Sequence, residues 1–464
     1  HYPLRRQRQM CIRDRLMNHR GVSFSSDSAS SKGRYSTNSV QKIFSLPGRQ
    51  PVAFMVAGSS IFAPTGLSWD RVFYKYNQYF SQKYGVNSEL ETMMAYENDF
   101  LQFLKSIPSD EANNMALYYD LFSYFAGQNG VLSRYVQSEY EPTSDGKDQL
   151  LQKIENLQNG LTNIYQNLAD ISDIEYQIKI KGINENHGEM LGQAATDIVS
   201  KLTGADEGEA PDLTGLVRGL LLYHTVQHGE DMSWRASTTT LVFGGFSETE
   251  ENPSTTRFEV GTLIHGIEPK WIVDRNIVSS NSGVSPRSSD GTNYESRVFI
   301  EAFAQSDMIQ RLTHGADPRL GMQSDDNIVS NAAGMATQLW MHNYGIKEIS
   351  KIHGIGDTKA NEIIKHLMEE SDMLDQISTY HWNWFNAHVN ETKEEFREAV
   401  DRLSSIELAE LGGYLIEIQA KMNQYIRPQA TVSLPVDVCV LTKEHGFVWH
   451  KLKNMPERLS LIHI

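Results

Sequence analysis

The sequence predicts a mixed α+β fold in which two sheets lie between helical layers, and three observations predict it. The first sixty residues have strand character and end in the continuous apolar run Pro51-Val52-Ala53-Phe54-Met55-Val56-Ala57-Gly58. Such a run, closed by glycine, suits a strand buried on both faces. A helical period then takes over between residues 64 and 232. Strand patterns return at Thr238, yield to further helices, and come back once more to close the chain.

In order, Val22 to Ser28 reads as a short strand entering a Ser-rich turn, and Val40 to Leu46 as another. Ser68 is positioned to cap a helix whose Trp69, Val72, Phe73, Tyr76 and Phe80 share a face, stopped by Gly85. Ser88 and Glu91 have the spacing of a capping box ahead of Met94, Phe100, Leu101 and Leu104. Pro108 opens a further helix through Met115, Leu117 and Leu121. Leu150, Ile154, Leu157, Leu161, Ile164, Leu168 and Ile171 then form a heptad seam. That seam suits a coiled-coil dimer contact or a helical hairpin packed on its own neighbours; Gly160 weakens the helix and favours the second. Segments 187–203 and 213–228 continue in helical style around an acidic, Gly-containing loop.

Strands are expected at Thr239 to Phe246, 255–267 and 270–278, and a loop from Ser279 to Asn293. Helices are expected at 296–314, 325–344 and 394–424, the last opened by Thr392 and Glu395 as a capping box. Strands 435–442 and 446–452 close the chain as a hairpin through Glu444-His445-Gly446.

At 464 residues the chain exceeds the size at which one core keeps growing, so a core with an insertion is expected. No run approaches the ~18–20 apolar residues of a membrane span, and no charged-then-apolar leader is visible. With 42 basic and 58 acidic residues, the charge of −16 disfavours nucleic acid or an anionic membrane as main partner. Cys11 and Cys439 offer no disulfide framework, which fits a cytoplasmic protein. The basic, unpatterned residues 1–15 resemble translated sequencing-adaptor read-through, as do residues 459–464. Both are set aside, and a native chain truncated near Leu16 is expected.

Four segments carry a resemblance. Arg20-Gly21-Val22-Ser23-Phe24-Ser25-Ser26-Asp27-Ser28, Val40-Gln41-Lys42-Ile43-Phe44, Met55-Val56-Ala57-Gly58, and Pro435 to Leu441 with Gly446-Phe447-Val448-Trp449 occur in that order. Together they resemble proteasome β-subunit-type N-terminal-nucleophile hydrolases of a bacterial group. Gly244-Gly245-Phe246 and Ala302 to Asp307 resemble the same group. The resemblance implies a four-layer αββα sandwich with a large helical insertion. Residues 16–63 and 233–345 would be the two halves of the core, 64–232 the insertion, 346–393 a second helical insert, and 394–458 the final core helix and hairpin.

The chemistry so implied is peptide or amide hydrolysis by an N-terminal threonine whose own α-amine relays the proton. Asp27 would hold Lys42 charged, Lys42 would lower the proton affinity of the amine, and Gly58 would donate its N–H to the oxyanion. Ser306 would be the supporting serine. Read singly, Asp27 is a turn residue, Lys42 a strand-edge lysine and Gly58 a turn glycine. Counting back from Asp27 places the nucleophile at Met10 or Cys11, within the adaptor-like stretch. Cys11 has ten residues ahead of it and so no free α-amine; the nucleophile is expected to be missing. Ser433 and Leu434 stand where the family usually has paired glycines, which puts a contribution from Thr431 or Ser433 in doubt.

Other chemistry is weaker. His224 and His228 have i, i+4 spacing, but Thr225 stands where a zincin needs glutamate, so no metal is expected. Ile352 to Ile364 resembles a helix-hairpin-helix turn, although Asp357 sits where a cation would serve DNA better. Tyr380-His381-Trp382-Asn383-Trp384-Phe385 is read as core packing. The expectation is therefore a self-assembling proteasome-like hydrolase acting on peptide or unfolded protein, with no cofactor. A catalytically inactive scaffold is the alternative, and a DNA-associated protein a more distant one.

Overall fold

The computed structural model describes residues 13–452, apart from 28–29, 33–34, 38–40, 86–88, 137–145, 167–173, 207–209, 281–282, 290, 304–306, 316–335, 337–338, 341–343, 353–354, 370–372 and 427–433. It is mixed α+β. A five-stranded antiparallel sheet has the order Phe299–Phe303, Arg13–Asn18, Gly21–Ser26, Asp437–Thr442, Gly446–Lys451. A seven-stranded sheet has the order Ser285–Pro286, Asn293–Ser296, Ile272–Val278, Ser254–Val260, Thr239–Gly245, Val52–Gly58, Ile43–Ser45. Within it Ile272–Val278 and Asn293–Ser296 run parallel.

Alternation along the strands decides which core each residue joins. Met17, Val22, Phe24, Cys439 and Leu441 of the first sheet cluster with Ile43, Ala53, Met55 and Val242 of the second. The alternate residues of the second sheet, including Phe54, Val56, Leu241 and Phe243, cluster with helices Trp69–Tyr84 and Met93–Ser106. Those of the first, Leu16, Val438 and Val440, cluster with Val400, Leu408, Leu415 and Ile416 of helices Met373–Arg402 and Ser405–Ile426. Val436, Val438 and Val440 of the closing segment are buried.

Helices Asp110–Ala126, Gly146–Gln166, Ile174–Thr203 and Pro211–His228 have their own core, in which Leu157 and Leu161 are wholly buried against residues such as Leu121 and Leu202. Ile154, Leu157, Leu161 and Ile164 of the heptad seam thus pack within the chain; the Leu150 side chain, Leu168 and Ile171 lie outside what the structure describes. A buried network ties this unit to the second sheet. Asp120 accepts from the Ser237 N–H (2.7 Å), the Ser237 hydroxyl (2.8 Å) and the Thr262 hydroxyl (3.0 Å), and Arg235 donates to Thr262.

Several expectations are corrected. The stretch 296–314 is not one helix: Phe299–Phe303 is a strand on Arg13–Asn18, and a helix covers only Asp307–His314. Val298 and Ile300 pack on one side of that strand and Phe299 on the other, a period of two that favours pairing. Short strands Ser285–Pro286 and Asn293–Ser296 occupy part of the expected 279–293 loop. Thr92, whose hydroxyl accepts from Ala95 N–H at 3.2 Å, caps the helix assigned to a Ser88 box. Thr392 lies inside helix Met373–Arg402 and turns its hydroxyl onto the His388 carbonyl. The capping box sits instead at Ser404 and Glu407, where the chain breaks into two helices. Tyr380 and Trp384 are exposed, because that helix packs on the core through its later turns. The expected 325–344 helix falls mostly outside the described residues.

Arg13, Asp14 and Arg15, set aside as adaptor-like, are strand residues paired on both sides. Main-chain hydrogen bonding depends little on side-chain identity, so two partners recruit even an unpatterned segment.

Candidate functional site

The strand Gly21–Ser26 delivers Asp27 at its end, and Asp27 is wholly buried. Lys42 lies just before strand Ile43–Ser45, where its carbonyl accepts from Val56 N–H at 2.8 Å. Its side chain turns inward, and Nζ donates to Asp27 Oδ1 at 2.7 Å. Both partners are at most 3% exposed at the side chain. Two opposite charges at this distance stabilise each other in a medium that screens them poorly.

Gly58 ends the strand two residues beyond Val56 and pairs with Thr239. Its φ of +87° is in the region glycine favours, and it releases the chain from the ladder into the Ser59–Ser60 turn. The last element of the site is the strand that opens the described chain. Arg13 pairs with Ser26, the residue before Asp27, so this strand enters the first sheet beside the ion pair. Asp27, Lys42 and the head of the first strand are therefore brought together, with Gly58 at the end of the strand that Lys42 abuts. Ser306, Thr431 and Ser433 lie outside the described residues.

Further charges line the same sheets. Asp437, paired with Ser26 and buried, adds a carboxylate that sequence reading passed over; its place in an alternating Asp-Val-Cys-Val-Leu strand was the available signal. Arg15, also buried, is ion-paired with Glu301, which lies 3.3 Å from Arg257; Arg257 in turn holds Asp274 at 2.5 Å. Burial raises the Asp274 pKa, as does the repulsion of Glu301, with Arg15 and Arg257 opposing. Cys439 sits wholly buried in its strand, and burial pushes its thiol far above the ordinary range, which leaves it unreactive at neutral pH.

Elsewhere, His224 is packed among the rings of Tyr124, Phe125, Trp234 and His228. Desolvation, with His228 and Arg235 nearby, lowers its pKa to about 3, so it is neutral. Among the described residues no three His, Cys, Asp or Glu side chains are grouped to hold a metal ion. The helix-hairpin-helix-like segment has helices Ile346–Ser350 and Asp357–Glu369, with Ala360 and Ile364 buried; His353 and Gly354 of its turn lie outside the described residues. No helix among the described residues is long and apolar enough to cross a membrane.

No family model and no curated protein matches the chain. Among solved structures it is similar to Anbu from Hyphomicrobium sp. strain MC1, with a TM-score of 0.25 and 8% identity over 96% of this chain and 88% of that one. It is also similar to Anbu from Yersinia bercovieri, described as an ancestral β-subunit, with a TM-score of 0.24 and 9% identity over 95% and 88% of the two chains. The functional reading rests on this chain's own residues.

Proposed function

We propose that the chain is a proteasome-like N-terminal-nucleophile hydrolase, built as a four-layer αββα sandwich with a helical insertion, that cleaves peptide or amide bonds. The observation that carries this reading is the buried Lys42–Asp27 pair beside the head of the first strand. The three apolar clusters on and between the two sheets support the sandwich.

In this reading Asp27 fixes the Lys42 ammonium as a permanent positive charge where water is excluded. An α-amine at the start of the strand would then be held neutral by like-charge repulsion. A neutral amine takes the proton of an adjacent threonine, serine or cysteine as that side chain attacks the carbonyl, and returns it to the leaving amine. The N–H of Gly58 is assigned to the oxyanion and Ser306 to a supporting hydroxyl. Peptide or unfolded protein is the proposed substrate, a homo-oligomer the proposed form, and the cytoplasm the proposed location.

Hydrolysis of fluorogenic peptides by the protein carrying its genomic N-terminus tests this. Turnover that falls at least a hundredfold in Lys42→Ala and Asp27→Asn is expected. A folded protein with no turnover on a broad peptide panel would leave the scaffold reading in place.

A further inference from the structure

Glu259 stands on the face of the second sheet that looks onto the first. Phe258 and Val260 beside it pack into the outer helical core, whereas Arg257, two residues back, reaches Glu301 of the first sheet. Alternation along strand Ser254–Val260 therefore turns Glu259 inward with Arg257. This strand pairs in register with Thr239–Gly245, and that one with Val52–Gly58, so Glu259, Thr240 and Ala57 stand abreast. Ala57 immediately precedes Gly58, the residue assigned to the oxyanion.

Adjacent strands lie about 4.8 Å apart, which sets the Glu259 α-carbon roughly 10 Å across the sheet from that of Ala57. A long basic side chain on a peptide held at Gly58 and the glutamate side chain bridge that gap between them. The row also opens outward. Ala57 is buried, whereas Thr240 and Glu259 are half-buried. Two residues deeper, Met55 and Val242 are wholly buried, so Glu259 marks where the space between the sheets meets solvent.

The cations of the neighbouring elements are committed elsewhere. Arg257 is held by Asp274 at 2.5 Å and by Glu301 at 3.3 Å, and Arg15 is paired with Glu301 as well. Lys42 is held by Asp27 at 2.7 Å, and Lys270 by Glu230 at 2.7 Å. Arg15 and Arg257 thus balance Glu301 and Asp274, and Glu259 remains as an uncompensated carboxylate. It makes no ion pair and accepts no side-chain hydrogen bond among the described residues. A charge at such a rim is solvated enough to stand alone, yet is screened less than one on open surface. The net charge of −16 draws cationic peptides toward it.

We infer that Glu259 selects a basic side chain, lysine or arginine, in the peptide substrate. The inference rests on the proposed hydrolase reading and adds to it the class of residue preferred beside the bond that is cut. The ammonium or guanidinium meets the Glu259 carboxylate at the rim, while the peptide main chain lies toward Gly58. Glu259 itself takes no part in the chemistry.

Peptides that differ only in arginine or its neutral isostere citrulline, placed at successive positions around the cleaved bond, test it on the protein carrying its genomic N-terminus. At one position kcat/KM for arginine should exceed that for citrulline roughly tenfold. Glu259→Gln should bring this ratio to about one, and Glu259→Lys should reverse it. No arginine preference at any position in the unsubstituted protein, or a preference that survives in both variants, overturns the inference. If no peptide is cut, the hydrolase reading fails, and the fluorescence anisotropy of the same peptides carrying fluorescein decides the inference separately. Tighter binding of an arginine peptide, lost in Glu259→Gln, upholds it. Equal binding of the two peptides, or a preference kept in Glu259→Gln, overturns it.

Discussion

Lys42 Nζ lies 2.7 Å from Asp27 Oδ1, and the protein closes over both side chains. Fifteen residues separate the two in sequence, and they flank strands of different sheets. The pair therefore also pins one sheet to the other. Removing one partner takes from the other its buried ion pair. Lys42→Ala and Asp27→Ala should each destabilise by about 3–5 kcal/mol. The double variant Lys42→Met with Asp27→Leu should recover much of that loss without recovering activity. Chemical denaturation alongside the peptide assay checks both.

Gly58 has room for a Cβ, whose nearest neighbour would be the Thr238 carbonyl at 3.5 Å, but its φ of +87° resists one. Gly58→Ala should cost on the order of 1–2 kcal/mol in stability from backbone strain alone. If its N–H serves the oxyanion, turnover should fall by roughly a hundredfold with KM little changed. Steady-state kinetics on the folded variant separates the two effects.

His224 is neutral and buried, with its pKa lowered to about 3 from the usual 6.5. The unfolded chain takes up a proton there below pH 6.5, and the folded one does so only near 3. Stability contributed by this neutral ring is full above pH 6.5 and is lost as pH falls through that window, by on the order of 2–4 kcal/mol. His224→Phe, which keeps an aromatic ring among Tyr124, Phe125 and Trp234, should flatten the slope. Urea melts between pH 7 and 4 read it directly.

Asp14 runs the other way. Its carboxyl is wholly buried on the side of the first sheet that carries Leu16, has no hydrogen-bond partner among the described residues, and is pushed well above the usual range by desolvation. The folded protein keeps a proton that the unfolded chain releases above its ordinary pKa near 4. Asp14 therefore costs stability increasingly as pH rises from that value. Asp14→Val should stabilise by roughly 2–4 kcal/mol at pH 7 and by much less at pH 4. Equal stabilisation at both pH values would show that the carboxyl is solvated.

In helix Gly146–Gln166, a Cβ on Gly160 would sit 2.5 Å from the Tyr135 ring. Gly→Ala in a helix interior ordinarily gains about 1 kcal/mol. Here Gly160→Ala should instead destabilise, by about 1–3 kcal/mol. A gain would mean that Tyr135 does not pack there.

What was legible in the sequence follows from how local its cause is. The run Val52–Gly58 and the helix Trp69–Tyr84 declare themselves by period and by their terminal glycines, and both lie where expected. The strand Phe299–Phe303 does not, because its partner, Arg13–Asn18, begins within the adaptor-like residues 1–15. Caps at Thr92 and Ser404 lost out to Ser88 and Thr392, which match the same pattern one turn or more away. Tyr380 and Trp384 suggest core by residue type alone, but tertiary packing decides which face of a 30-residue helix is covered, and both are exposed. The site was less legible still. Neither Asp27 nor Lys42 carries a local signal for the other; in the sequence only the resemblance pairs them.

The central claim is tested most directly by the intact mass of the protein with its genomic N-terminus after reaction with a threonine-directed peptide epoxyketone. The account predicts a single adduct on the first residue, absent in Lys42→Ala. An unmodified mass on a folded protein, or an adduct that persists in Lys42→Ala, would contradict it.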